Sequence, residues 1–102
     1  MRVSRSLPIA AALTGLLLAP AAPGEEISQG AMLSISCAGC HGTDGRSPGA
    51  IPSLNGKSAD FIAGALQEFR SGKRESTVMG RHAKGYTEDE IDQIAAYFAG
   101  LK

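Results

Sequence analysis

Apolar residues fall into four groups along the chain, each with its own spacing. The first, Leu7–Leu18, is continuous and uncharged. It follows Arg2 and Arg5 and runs into Ala19-Pro20-Ala21-Ala22-Pro23-Gly24. A basic start, a short apolar stretch and a small-residue site describe a secretory signal peptide over 1–24, with cleavage expected near residues 21–24. The stretch is short for a hydrocarbon core of ~30 Å and Pro20 closes it, so no membrane span is predicted for the mature chain. The second group, in Ser28–Ser36, puts Ala31, Met32 and Ile35 at i, i+1 and i+4, which predicts a helix with Met32 in its core face. A loop punctuated by Gly42, Asp44-Gly45, Ser47-Pro48-Gly49 and Pro52 follows. Ser58 then caps a helix that carries Phe61, Ile62, Ala65, Leu66 and Phe69 on one face and stops at Gly72. Lys73–Tyr86, with Gly80 and Gly85, reads as a second loop. Thr87 and Glu90 form a capping box for a last helix with Ile91, Ile94, Ala95 and Phe98 at i, i+3, i+4 and i+7, ending at Gly100. No period-two run, repeat or low-complexity linker is present, so the pattern predicts one all-α domain over residues 25–102.

Composition sharpens that reading. The 102 residues carry 10 basic and 10 acidic side chains. From residue 25 on, with Arg2 and Arg5 gone, 8 basic residues face 10 acidic ones, a net charge of −2. No strong positive field exists to draw nucleic acid, so no nucleic-acid partner is expected. A hydrophobic fraction of 43% with 20% charged residues excludes a disordered chain. Yet the chain holds only 3 Phe and 2 Tyr, and no Trp. A domain this small with so few large side chains needs a disulfide, a metal or a cofactor to complete its core.

The cysteines are the place to look. Cys37 and Cys40 are followed at once by His41. A disulfide between them would close a tiny loop and stabilise little. A thioredoxin-type pair expects a βαβ context that the pattern lacks. Zinc would need further ligands, and only His82 is left over. Cys-x-x-Cys-His instead fits covalent attachment of one haem c, which takes place outside the cytoplasm and so agrees with export to the periplasm. Cys37 and Cys40 would bind the haem vinyl groups as thioethers, and His41 would be the proximal iron ligand. The haem would then supply the missing core, and folding would depend on it.

These segments together resemble the class I cytochromes c. The resemblance covers the mature chain and includes residues 30–42, Ile51-Pro-Ser-Leu-Asn-Gly56, the helix ending Leu66-Gln-Glu-Phe-Arg-Ser-Gly72, a Met-containing loop, and Ile94-Ala-Ala-Tyr-Phe-Ala99. It implies the class I cytochrome c fold, in which helices and loops wrap one covalently bound haem. Within that class, Ser76-Thr-Val-Met-Gly-Arg81 and Ala83-Lys-Gly-Tyr-Thr-Glu88 look like the cytochrome subunits of flavocytochrome c sulfide dehydrogenases. Two-haem forms of that subunit have two such domains; this sequence has one motif and room for one domain.

The resemblance assigns roles residue by residue. Met79 is the expected distal iron ligand, with His82 as the rival on the same loop. The Pro52 carbonyl is expected to accept from His41 Nδ1–H, which fixes the ring of a ligating histidine. Leu54, Ile62, Leu66 and Phe69 are expected around the haem. Gly30 and Tyr97 match a close crossing of the first and last helices. Arg70, Lys73, Arg74, Arg81 and Lys84 form a basic stretch that is either a solvated face or a docking surface. With both axial positions taken, no site remains for substrate, and the expectation is a one-electron carrier, not an enzyme. It would accept electrons from an FAD-containing flavoprotein subunit of a sulfide dehydrogenase. The alternative is a free-standing small soluble carrier serving other periplasmic redox proteins. A five-coordinate haem enzyme or sensor would require that Met79 not bind.

Overall fold

The computed structural model describes residues 4, 6–22 and 24–102; Arg2, Arg5 and Pro23, all within the expected leader, lie outside the described residues. Residues 6–22 have no regular secondary structure, and Leu7, Ile9, Leu13 and Leu17 are 89–96% exposed. That apolar stretch therefore contributes nothing to the core.

The helices are α1 (Gln29–Ser34), α2 (Ala38–His41), α3 (Ala59–Ser71), α4 (Met79–Lys84) and α5 (Glu88–Ala99). Short 3₁₀ turns occupy Ile35–Cys37 and Thr43–Gly45, and there is no strand among the described residues. An all-α fold is thus observed. Three of the starts carry the caps their sequences call for. Ser28 Oγ accepts from Ala31 N–H, Ser58 Oγ from Phe61 N–H, and Thr87 and Glu90 close a reciprocal capping box. Gly72, at φ 80°, ends α3 in the left-handed conformation that glycine reaches without a Cβ penalty.

α5 is the central element. Ile91, Ile94, Ala95 and Phe98 are buried along one face, as their spacing predicts, and α5 packs against both α1 and α3. The crossing with α1 is close. A Cβ built on Gly30 would stand 2.6 Å from the Gln93 carbonyl oxygen and 3.3 Å from Tyr97 Cβ. Only glycine admits that approach, which the pairing of Gly30 with Tyr97 anticipates. Ser34, also buried, returns its hydroxyl to Gly30 O at 2.7 Å and so leaves no polar orphan in the contact.

Two expectations need correction. The inward face of the first helix is not Ala31, Met32 and Ile35. Gly30 and Ser34 are buried and Leu33 and Cys37 pack on the core, whereas Met32 is 54% and Ile35 64% exposed. The sequence places apolar side chains on the outer face because the inner face must hold a glycine and a serine at the α5 crossing. The helix also tightens into the 3₁₀ turn at Ile35 before the Cys-x-x-Cys-His segment. Phe61 shares the cavity-facing side of α3 with Ile62, Ala65, Leu66 and Phe69, as its spacing predicts, but at 55% exposure it is not buried by protein. Lastly, Lys73–Tyr86 is not all loop, because α4 lies inside it. Ser76 Oγ accepts from Gly80 N–H at 2.8 Å, and Val78 O accepts from Arg81 and His82 N–H. Ala83, fully buried, anchors this helix against α3. Six residues are too few for a readable period.

Candidate functional site

The helices leave a cavity of about 450 Å³ between α2, α3 and α4, floored by Ile94 and Phe98 of α5. Its wall is overwhelmingly apolar. Cys37, Cys40 and His41 line it from the first half of the chain. Pro52 and Leu54 line it from the long loop, Ile62, Leu66 and Phe69 from α3, and Met79 from α4. Every residue expected to hold or surround the haem is therefore brought to one cavity, whereas Gly30, Tyr97, Arg70, Lys73, Arg81 and Lys84 lie outside it. His82 is there as well, one turn beyond Met79 on the same short helix.

The backbone explains how His41 and Pro52 meet. Gly42 follows His41 at φ 85°, and a Cβ there would collide with Arg46 O, so the chain can fold back sharply only with glycine at this point. Gly45 O then accepts from Leu54 and Asn55 N–H, which draws the far end of the loop over the Cys-x-x-Cys-His segment. His41 Nδ1 and Pro52 O end 2.6 Å apart. A carbonyl can only accept, so the proton resides on Nδ1. That leaves Nε2 of a 7%-exposed imidazole with its lone pair free, the tautomer a metal ligand needs.

Cys37 is half-buried and Cys40 exposed, and the two are not joined as a disulfide. Burial pushes the Cys37 thiol above its ordinary pKa, partly offset by a hydrogen bond with Ser36. An apolar cavity with two thiols and one histidine held in the ligating tautomer fits a haem attached by thioethers.

Several lining residues escaped the sequence reading. Tyr86 closes the wall between α4 and the 3₁₀ turn; its hydroxyl lies 2.9 Å from Ser36 Oγ and donates to Leu33 O at 3.4 Å. Ile51, Phe61 and Val78 also line the cavity, each 45–55% exposed. Exposed large apolar side chains clustered at one cavity are the signal that could have revealed them, but only once the fold is known. Lys57 and Arg74 add two cations to the same wall.

The cytochrome c family matches residues 21–102 of the sequence. The chain belongs to the cytochrome c family. This cytochrome is 57% identical to the cytochrome subunit of sulfide dehydrogenase from Chlorobaculum tepidum, over 88% of its own length and 82% of that protein. It is 32% identical to cytochrome c-554(547) of Halothiobacillus neapolitanus, over 78% of the chain and 99% of that protein. Among solved structures it resembles cytochrome c4 of Acidithiobacillus ferrooxidans, with a TM-score of 0.63 and 36% identity, over 65% of this chain and 38% of that one. The fold is therefore that of a cytochrome c, the cofactor is covalent haem c, and the protein transfers electrons.

Proposed function

We propose that this cytochrome is the electron-accepting haem subunit of a flavoprotein sulfide dehydrogenase, exported to the periplasm by cleavage of residues 1–24. The observation that carries this reading is the 57% identity with a cytochrome subunit of that complex, sustained over 82% of that subunit. The basic segment from Arg70 to Lys84, which holds five cations against Glu75 alone, supports it as a surface for a partner.

Each site residue has a defined task. Cys37 and Cys40 would hold the haem by thioether bonds. His41, oriented by the Pro52 carbonyl, would ligate the iron through Nε2. Met79, at the start of α4, would ligate it through its thioether, in preference to His82. Haem so ligated supplies a one-electron Fe(III)/Fe(II) couple, and Met/His ligation raises its potential. Leu54, Ile62, Leu66 and Phe69 keep water from the ring and so limit the solvent rearrangement that accompanies a change of charge. Sulfide oxidation falls to the flavin of the partner.

The test is stopped-flow reduction of the haem by the sulfide-reduced FAD subunit of a sulfide dehydrogenase from the same organism. Rapid reduction is expected, slowed by charge reversal at Arg81 and Lys84 and most strongly at low ionic strength. If the haem stays oxidised with sulfide and that flavoprotein while unrelated donors reduce it readily, the protein is a free carrier instead.

A further inference from the structure

The cavity wall contains two cations, Lys57 and Arg74, to which haem ligation gives no task. Haem brings two propionate carboxylates to this cavity, and a carboxylate held at an apolar wall without a partner is costly. Among the lining residues there is no Asp or Glu, and the two permanent cations are Lys57 and Arg74. They differ in how they are held. The Lys57 ammonium rests 5.3 Å from the centroid of the half-exposed Phe61 ring. Arg74 is fixed three ways. Its Nε and one terminal nitrogen donate to Glu68 Oε2 at 2.8 and 2.7 Å. Its guanidinium lies 5.3 Å from the centroid of Phe69, itself a cavity residue. Its backbone N–H donates to Glu68 O at 3.1 Å.

We propose that Arg74, braced by Glu68 and Phe69, receives a haem propionate and thereby raises the reduction potential of the bound haem. A guanidinium has five N–H donors in a planar fork. Glu68 engages the edge formed by Nε and one terminal nitrogen, and the remaining donors are left for a second carboxylate. Glu68 thus sets the angle of the fork at some cost in net charge. The Glu68–Arg74 pair is itself 37–44% exposed, so its value lies in orientation more than in stability. A cation beside a propionate favours the reduced haem, which carries one positive charge fewer than the oxidised form. Arg74 also lines a smaller polar cleft of about 330 Å³ with Arg81, Lys84 and Glu75, and so stands between the haem cavity and the basic docking stretch.

The experiment uses the isolated oxidised and reduced holoprotein, without any flavoprotein, so it stands apart from the partner assignment. The readouts are the reduction potential and the propionate bending band in the resonance Raman spectrum. Arg74→Gln should lower the potential and shift that band; Arg74→Lys, which keeps the charge but loses the fork, should recover most of the potential and leave the band shifted. Lys57→Gln removes the same charge from the same wall and should leave the band in place. Equal falls in potential for Arg74→Gln and Lys57→Gln, with an unmoved band in both, would overturn the pairing and leave only a diffuse charge effect.

Discussion

The His41–Pro52 hydrogen bond shows how much of this site depends on single atoms. The acceptor is a backbone carbonyl, so the side chain of Pro52 matters only by restricting the chain that presents it. Replacing Pro52 by Ala should therefore keep the haem attached, while Cys37→Ala should remove one thioether and Cys37→Ala with Cys40→Ala should abolish covalent haem. Intact-mass measurement on denatured holoprotein checks this; a haem mass increment that persists in the double variant would refute covalent attachment at these residues. Cys37, Cys40 and His41 were legible because a short motif with one chemical use stands directly in the sequence. Tyr86 was not. Its reach to Ser36 spans 50 positions, and nothing local to Gly85-Tyr86-Thr87 announces it. Arg74 was visible as a charge in a run of charges, and only the fold separates it from its neighbours by turning it to the cavity.

The helices with full periods, α3 and α5, follow from their sequences almost to the residue, caps included. Thr87→Ala should cost about 1 kcal/mol, the usual worth of an N-cap side chain, read as a lower midpoint in denaturant at unchanged slope. The short elements resist such reading for a physical reason. α1 turns small and polar residues inward, so the apolar pattern points the wrong way. α4 rests on a local bond, from Gly80 N–H to Ser76 Oγ, and on the burial of Ala83 against α3, which is a tertiary fact. The α1–α5 crossing supplies a sharper test. Gly30→Val would drive a branched side chain into backbone of α5, with Gln93 O already 2.6 Å from the nearest added carbon. Overpacking of this kind typically costs ~1–3 kcal/mol, so the variant should melt well below the parent in its haem-bound form. An unchanged melting temperature would mean that the crossing is looser than described.

For the molecule as a whole, the cavity decides what the chain can do. The buried apolar residues are few, and several large ones (Ile51, Phe61 and Val78) are exposed at the cavity instead of being covered by protein. Haem burial completes this core, and binding free energy becomes folding free energy. Protein made without haem attachment should show weak helical circular dichroism and no cooperative melt, whereas the holoprotein should show both. A haem-free chain with full helicity and a sharp transition would contradict this. The apolar lining of the cavity suits a buried haem, and a haem shielded in this way suits electron transfer.

The central claim is that the iron is held between His41 and Met79, and the near-infrared spectrum of the oxidised protein tests it most directly. Sulfur-to-iron ligation gives a weak absorption band there. The band should be present in the parent, absent in Met79→Ala and retained in His82→Ala. A band that survives loss of Met79, or a parent spectrum that lacks it and changes only with His82, would place a different ligand on the iron and contradict the account.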